Sequence, residues 1–251
     1  KDKKINDYLL KSSLSEITNY IKVKNKYPGE GRNIGIKHAK YELVAFLDSK
    51  TIPVKDWLKK QLTELKNNNY DAIFGCTKYV TETRFQEFIN SATFGNINHI
   101  TTPGTLIKKK LLKNNYFIEG VRTADDLEWR ERLIAKQFKL GTPKDYQLIY
   151  KSLPKNIFAT LKRYFVYSFH TAQVNVDSKL KFFYFFLISL FLFLAIPRWN
   201  QYLPGWNINH PLYIQNHTKF YLLLFLTLFI IVVSIQNFPF FKKGFLNYLI
   251  K

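Results

Sequence analysis

Two groups of charged residues and one nearby arginine have types and spacing that could carry chemistry. Asp48 follows the apolar run YELVAFL and is separated by one residue from Lys50. Asp125 and Asp126 form an adjacent acidic pair, and Arg132 lies six residues past the second acid. A carboxylate can hold a divalent cation or accept a proton, and a fixed cation can neutralise a phosphate. The sequence therefore indicates an enzyme-like site in the first 145 residues.

The acidic pair begins a predicted amphipathic helix, DDLEWRERLIAKQ. The dipole and free N–H groups at a helix start stabilise carboxylates, and two neighbouring acids can raise one pKa toward neutrality. Such a group suits a base that works near neutral pH. Arg132 lies close to two helical turns further on, so it can face the same cleft. The structural alternatives are that Asp125 is only the helix N-cap and that Arg132 is an ordinary surface charge.

The elements that must position these residues alternate between strands and helices, which predicts an α/β fold with a layered sheet. The run at 43–47 is continuously apolar, as is typical of a strand buried in a parallel sheet. The other predicted elements are a helix over 33–40, a helix after Pro53, a strand over 70–77, a helix over 83–91, a strand in TPGTLIKK and the helix that starts at Asp125.

The composition favours an anionic partner. The chain carries 38 basic and 18 acidic residues, a net charge of +20, and 17% of its residues are aromatic. The aromatic residues concentrate in the C-terminal third, which favours a membrane over nucleic acid, and no nucleic-acid-binding signature is found. Its single cysteine, Cys76, excludes a disulfide framework and a multi-cysteine metal site.

The C-terminal part has the pattern of a membrane-associated segment. Within residues 146–178, the stretch LPKNIFATLKRYFVYSF mixes lysines with large apolar residues, which predicts an interfacial amphipathic helix or, alternatively, a helix packed on the preceding domain. Two uncharged apolar runs follow. We predict a transmembrane hairpin over 179–241, with spans at about 180–199 and 219–237, the alternative being re-entrant or in-plane segments. Flanking lysines put the 242–251 tail and the preceding domain in the cytoplasm.

The order of these motifs resembles glycosyltransferase family 2, whose members are inverting, depend on nucleotide sugars and have the GT-A fold. The resemblance covers roughly residues 20–145. It is carried by GEGRNIGIKHAKYELVAFLDSKTIPVKDWL and by TPGTLIKKKLLKNNYFIEGVRTADDLEWRERL, which lie in the family's order and precede membrane segments. The resemblance implies a GT-A-like (Rossmann-like) mixed sheet flanked by helices. The family's opening strands, which hold the nucleotide base, are not found before residue 20, so we expect the domain at 1–145 to be N-terminally truncated.

The resemblance also assigns roles. It implies that Arg32, Asn33, Asp48 and Lys50 bind the donor, with Asn33 as a helix cap in the structural alternative. It places the catalytic base in the acidic pair, where we expect Asp126 to act with Asp125 and Arg132.

One departure from the family pattern concerns the metal. The expected Asp-x-Asp is Asp48-Ser49-Lys50 in this chain. Three outcomes stay open: Asp48 holds Mg²⁺ or Mn²⁺ with one protein ligand fewer, Lys50 replaces the metal as a fixed cation, or the site has lost activity.

We therefore expect an integral-membrane glycosyltransferase, in a bacterial inner membrane, that uses a nucleotide-sugar donor and a lipid-linked or glycan acceptor in cell-envelope polysaccharide biosynthesis. Membrane lipid is an expected partner and nucleic acid is not. The alternatives are a non-catalytic membrane scaffold with a degenerate transferase domain, or a polysaccharide synthase subunit.

Overall fold

The computed structural model describes residues 17–94, 98–176, 178–195, 207–211 and 213–237. Much of the N-terminal segment and all of the predicted 242–251 tail lie outside these ranges. Within them, the chain forms one mixed sheet with flanking helices, followed by three longer helices. The helices and strands of the sheet domain are α1 (Pro28–His38), β1 (Leu43–Ala45), β2 (Thr51–Pro53), α2 (Trp57–Asn67), β3 (Ala72–Tyr79), α3 (Arg84–Thr93), β4 (His99–Lys108), α4 (Lys109–Leu112), α5 (Asp125–Ala135), β5 (Leu140–Gly141) and β6 (Leu148–Tyr150).

The sheet is mixed and has flanking helices, as the family resemblance implies. Its described strands run in the order β1-β4-β3-β6-β2, and β5 pairs with β3. Strand β3 is parallel to β5 and β6, whereas the β1–β4, β3–β4 and β2–β6 pairs are antiparallel. The prediction that the 43–47 run is a buried strand of a parallel sheet is wrong. Strand β1 covers only Leu43–Ala45, pairs antiparallel with β4, and is half-buried to exposed.

The centre of the sheet is formed by β3 and β4, which are buried along most of their length. Their register shifts between Ile73 and Gly75. A Cβ at Gly75 would lie 1.8 Å from the Pro103 carbonyl oxygen, so the two backbones approach more closely than any side chain permits. Pro103 and the nearby Thr101 both line a large cleft.

One face of the sheet carries the main apolar core. Trp129 of α5 is fully buried, stacks on Phe117 at 4.6 Å between ring centroids, and meets Phe46 edge-on at 5.8 Å. Its indole Nε1 donates to the Asn115 carbonyl at 2.8 Å. Helix α5 is therefore fixed to the sheet by a large aromatic anchor, and the residues at its start are held in place.

Three helices follow the sheet domain: α6 (Ile157–Ala172), α7 (Ser178–Ala195) and α8 (Asn216–Asn237). Helix α6 begins at an Asn156 cap whose Oδ1 accepts from the Ala159 N–H at 2.9 Å. Large apolar side chains stand exposed on α6, among them Phe158, Leu161, Phe165 and Phe169. Helices α7 and α8 pack against each other.

None of the helices in the described ranges combines the length and the apolarity of a membrane span. The predicted spans at about 180–199 and 219–237 are not confirmed.

Candidate active site

One large cleft brings together five of the seven candidate residues and leaves out Asn33 and Arg132. Its volume is about 1220 Å³, and its walls come from α1, β1, the turn at 48–50, the start of α5, β6 and α6. The charged residues that line it are Arg32, Lys40, Lys50, Arg122, Arg130, Arg163, Asp48, Asp125 and Asp126. Basic side chains outnumber acidic ones, so the described part of the cleft favours an anionic ligand.

Arg32 of α1 connects the two acidic motifs. Its Nη1 donates to Asp125 Oδ2 at 2.7 Å and its Nη2 donates to Asp48 Oδ1 at 3.0 Å. The guanidinium also lies 5.3 Å from the centroid of the Phe117 ring. A planar guanidinium with several donors can hold two carboxylates at once, which an ammonium could do only as a point charge. Arg32 thus sets the distance between the 48–50 turn and the acidic pair.

Asp125 is the buried member of the acidic pair, at 3% exposure. Burial raises the pKa of its carboxyl to about 6, the charge of Asp126 adds to this rise, and the Arg32 guanidinium opposes it. Asp125 is the first residue of α5 and Ala124 is the N-cap, so the alternative that Asp125 caps the helix is wrong. Its carboxylate is committed to holding Arg32.

Asp126 has a different environment. It lines the cleft and is partly buried, and its carboxylate forms no hydrogen bond or ion pair with the described residues. A base must reach a proton of the substrate, and a carboxylate held by a cation would be a weaker one. The geometry therefore divides the pair into a positioning acid, Asp125, and an acid open to the cleft, Asp126.

The backbone around the acidic pair is tightly constrained. Ala124 has φ 66°, a left-handed conformation that costs about 1 kcal/mol or more for a residue with a Cβ. On the other side of the pair, a Cβ at Gly29 would lie 3.0 Å from Asp125 Oδ2 and 2.7 Å from the Ile118 carbonyl oxygen. The glycine at 29 is needed because α1 approaches the acid so closely.

The 48–50 turn presents Asp48 and Lys50 at the cleft. Thr51 closes the turn, because its N–H and its Oγ1 both donate to the Asp48 carbonyl, at 3.0 and 2.8 Å. The Asp48 side chain is 44% exposed and Lys50 is exposed. Among the described residues no three His, Cys, Asp or Glu side chains cluster closely enough to form a metal site of their own.

Asn33 lies outside the cleft lining. Its Nδ2 donates to the Phe117 carbonyl at 2.8 Å and to Glu119 Oε1 at 3.1 Å, and its Oδ1 accepts from the Phe117 N–H at 2.8 Å. Helix α1 begins at Pro28, so Asn33 is not a helix cap either. The structure uses this buried amide to hold the 117–119 segment against α1, which leaves it no contact with a donor in the cleft.

Arg132 is also directed elsewhere. Its Nε and Nη2 donate to Glu128 at 2.7 and 2.9 Å, and Nη2 donates to the Tyr116 carbonyl at 2.7 Å. Arg132 is absent from the cleft lining, so the expectation that it faces the same cleft as Asp126 is wrong. A helical spacing of six residues turns the side chain well away from the direction of Asp126.

Comparison with known proteins gives the family. The family model described as glycosyl transferase family 2 matches residues 3–124, a segment that contains Arg32 and Asp48 and ends one residue before Asp125. This segment is a glycosyltransferase family 2 domain.

Relatives of this chain include proteins named as uncharacterized glycosyltransferases. One from Rickettsia conorii is 30% identical over 185 residues, which is 69% of this chain and 30% of that protein. One from Methanocaldococcus jannaschii is 24% identical over 192 residues, which is 67% of this chain and 65% of that protein. The chain thus spans less than a third of the length of the first relative and about two thirds of the second.

Solved structures with some likeness include S. aureus TarS 1–349. Its complex with UDP-GlcNAc is 16% identical with a TM-score of 0.40, covering 83% of this chain and 54% of that one. Another TarS 1–349 structure is 21% identical with a TM-score of 0.36, covering 50% and 40%. Scores this low support no inference about this chain.

Sequence reasoning missed a set of aromatic residues that line the cleft. Tyr79, Tyr150, Tyr164 and Tyr167 all line it, together with Arg163. They come from β3, β6 and α6, elements far apart in sequence. Tyrosine is common throughout this chain, with 16 residues, so composition gave no signal that distinguished these four.

Proposed function

We propose that this protein transfers a sugar from a nucleotide-sugar donor to an acceptor hydroxyl, with inversion at the anomeric carbon. The observation that carries this proposal is the pairing of Asp48 and Asp125 through Arg32 beside a cleft-facing Asp126 with no described partner. Asp126 would take the proton as the acceptor oxygen bonds to the anomeric carbon. The bond from that carbon to the donor's phosphate oxygen breaks, and the nucleoside diphosphate leaves with both bonding electrons.

The leaving diphosphate must be neutralised, and two ways of doing this stay open. Asp48 is exposed and only its Oδ1 is bonded to Arg32, so its other oxygen would hold Mg²⁺ or Mn²⁺ together with donor phosphates. Such an ion would supply positive charge to the leaving group. Alternatively, Lys50 supplies that charge directly, because it lines the same cleft two residues from Asp48.

We also propose that the protein works at a membrane surface, with its cleft at the cytoplasmic leaflet and a lipid-linked or glycan acceptor. Support comes from α6, which turns exposed Phe158 and Phe165, at 79% and 74% exposure, away from the sheet domain. Exposed phenylalanines beside lysines on a helix are typical of an interfacial segment. The net charge of +20 adds attraction to anionic lipid.

A non-catalytic scaffold is the second candidate, and Lys50 in place of the expected acid is the observation that favours it. A scaffold has no need of an unpaired carboxylate in a cleft. Whether turnover requires the Asp126 carboxylate therefore distinguishes the two functions.

The decisive experiment measures nucleotide-sugar turnover by the full-length protein in nanodiscs, with a panel of UDP- and GDP-sugars. We expect Asp126→Asn to lower kcat by about 10²-fold or more while leaving donor binding intact. Asp145→Asn is the matched control, because Asp145 is exposed and outside the cleft. Full activity in Asp126→Asn would remove Asp126 as the base, and no turnover by the unmodified protein would favour the scaffold.

A further inference from the structure

The cleft has an aromatic wall, formed by Tyr79, Phe94, Tyr150, Tyr164 and Tyr167. All five residues line the cleft, and they come from β3, the end of α3, β6 and α6. None of these five side chains forms a hydrogen bond with the acidic pair or with residues 48–50. Because they converge from four elements, the wall exists only in the folded protein.

Packing fixes the wall in place. Tyr79 and Phe94 are stacked with centroids 3.8 Å apart and planes 6° from parallel, and Tyr150 lies 5.2 Å from Tyr79. Burial raises the pKa of Tyr79, of Tyr150 and of Tyr164, so these phenols stay protonated and able to donate. The wall therefore offers rigid aromatic surface together with hydroxyl groups that both donate and accept.

The wall is joined to the segment that carries the acidic pair. Thr123, two residues before Asp125, donates from Oγ1 to the Tyr167 carbonyl at 3.1 Å and lies 3.4 Å from Thr171 Oγ1. Val174, just beyond α6, packs in one apolar cluster with Val121 and Ala124. The Tyr167 side chain is 40% exposed, lines the cleft, and its hydroxyl has no partner among the described residues. An acceptor resting on Tyr167 would be close to the acidic pair.

We propose that this wall is the acceptor subsite and that the acceptor is a sugar ring, which stacks on Tyr167 and presents a hydroxyl to Asp126. The inference rests on the proposed function and narrows its acceptor class. Aromatic rings pack against the C–H face of a sugar, and the phenols bond its hydroxyls. A phosphate acceptor is already anionic, so it needs no base and would be repelled by the Asp126 carboxylate.

The position of α6 indicates which kind of molecule carries the acceptor sugar. One side of α6 carries Tyr164 and Tyr167 into the cleft, while Phe158 and Phe165 stand exposed. A helix with its side chains is about 10 Å across, so a lipid surface that contacts the exposed side would be near the cleft. A glycolipid headgroup fits this arrangement, and a free glycan is the other source of the same chemistry.

The test compares Tyr167→Ala and Tyr167→Phe with the unmodified full-length protein, using octyl glycosides, free disaccharides and a polyprenyl phosphate as acceptor probes. We expect Tyr167→Ala to raise the KM for octyl glycosides about tenfold, while the donor KM and the slow hydrolysis of donor by water stay unchanged. Tyr167→Phe should retain most of the stacking. Tyr146→Ala, outside the cleft, is the control, and thermal melting checks that each variant is folded.

The outcomes separate the two proposals. An unchanged acceptor KM in Tyr167→Ala, or transfer to polyprenyl phosphate alone, overturns the sugar subsite while the transferase function stands. An unmodified protein that neither transfers nor hydrolyses any donor overturns the function itself. Use of octyl glycosides in preference to free disaccharides supports a glycolipid headgroup, and equal use supports a free glycan.

Discussion

Arg32 Nη1 lies 2.7 Å from Asp125 Oδ2, although 93 residues separate the two in sequence. The arginine stands in the second turn of α1 and the acid begins α5, so this one contact locks the two helices across the cleft. The Asp125 side chain is 4% exposed and that of Arg32 is 12% exposed. An ion pair this shielded from water holds its geometry, and breaking it would leave a buried charge without a partner.

Stability should depend on pH through Asp125. The pKa of its carboxyl is about 6 in the folded protein against 3.8 for an unperturbed group, so the folded state binds the proton more tightly. As pH rises from about 3.8 to 6, the unfolded chain releases this proton first, and the free energy of unfolding falls. We expect the unmodified protein to lose about 3 kcal/mol relative to Asp125→Asn across this window and nothing more above it.

Chemical denaturation of both proteins between pH 3.5 and 7.5 measures this difference; these limits bracket, roughly, the two pKa values. If the free energies of unfolding of the two proteins changed in parallel with pH, the pKa of Asp125 would not be raised in the folded protein. Comparison with Asp145→Asn corrects for the general effect of removing one carboxylate from a strongly basic chain.

Gly29 should tolerate no side chain. A methyl group there would meet the Ile118 carbonyl oxygen at 2.7 Å and Asp125 Oδ2 at 3.0 Å, so Gly29→Ala must push α1 away from the acid. We expect a loss of about 1–3 kcal/mol in the free energy of unfolding and a matching loss of turnover. Gly35→Ala, in the same helix with nothing within 4 Å of the new methyl group, should instead gain about 0.5–1 kcal/mol. Equal effects of the two substitutions would contradict the close approach.

Lys50 should matter for the leaving group. If its ammonium helps to neutralise the diphosphate, Lys50→Ala lowers kcat by about 10²-fold with little change in folding, since the side chain is exposed. Lys50→Asp would supply a second carboxylate two residues from Asp48, and we expect its turnover to depend on added Mn²⁺ or Mg²⁺.

Turnover of both variants and of the unmodified protein, with EDTA and with each metal, distinguishes the two accounts. Activity of the unmodified protein that EDTA abolishes and metal restores would show that Asp48 holds an ion despite Lys50. Full activity of Lys50→Ala in EDTA would contradict the role of the lysine.

The exposed side of α6 should contact lipid. A tryptophan at position 165, introduced as Phe165→Trp, should be quenched by brominated lipids in vesicles containing anionic lipid, because an interfacial helix buries its apolar side about 5–10 Å deep. Ile134→Trp on α5, at a position that is 59% exposed, is the control and should not be quenched. Similar quenching at both positions, measured as the difference from the unmodified protein, would argue against a specific membrane-facing side.

Sequence patterns were sufficient to predict the features that depend on local properties of the chain. The helix that begins with the acidic pair is present as α5, and the helix predicted at 83–91 is present as α3. The family followed from motifs whose order along the chain is itself the evidence, and the comparisons confirm it. The metal, the acceptor and the membrane spans stay predictions.

Sequence alone determined which residues carry charge, roughly where several of the helices lie, and that Lys50 stands two residues after Asp48, where a second acid is expected. Only the tertiary structure decided how these residues divide their tasks. Asn33 lies next to Arg32 in sequence yet points into the interior, Arg132 turns to Glu128, and Asp125 rather than Asp126 receives the arginine. Helical spacing fixes only the face on which a side chain starts. Whether that face meets a cleft, a core or a neighbouring carbonyl depends on contacts between segments up to 93 residues apart, which no local pattern contains.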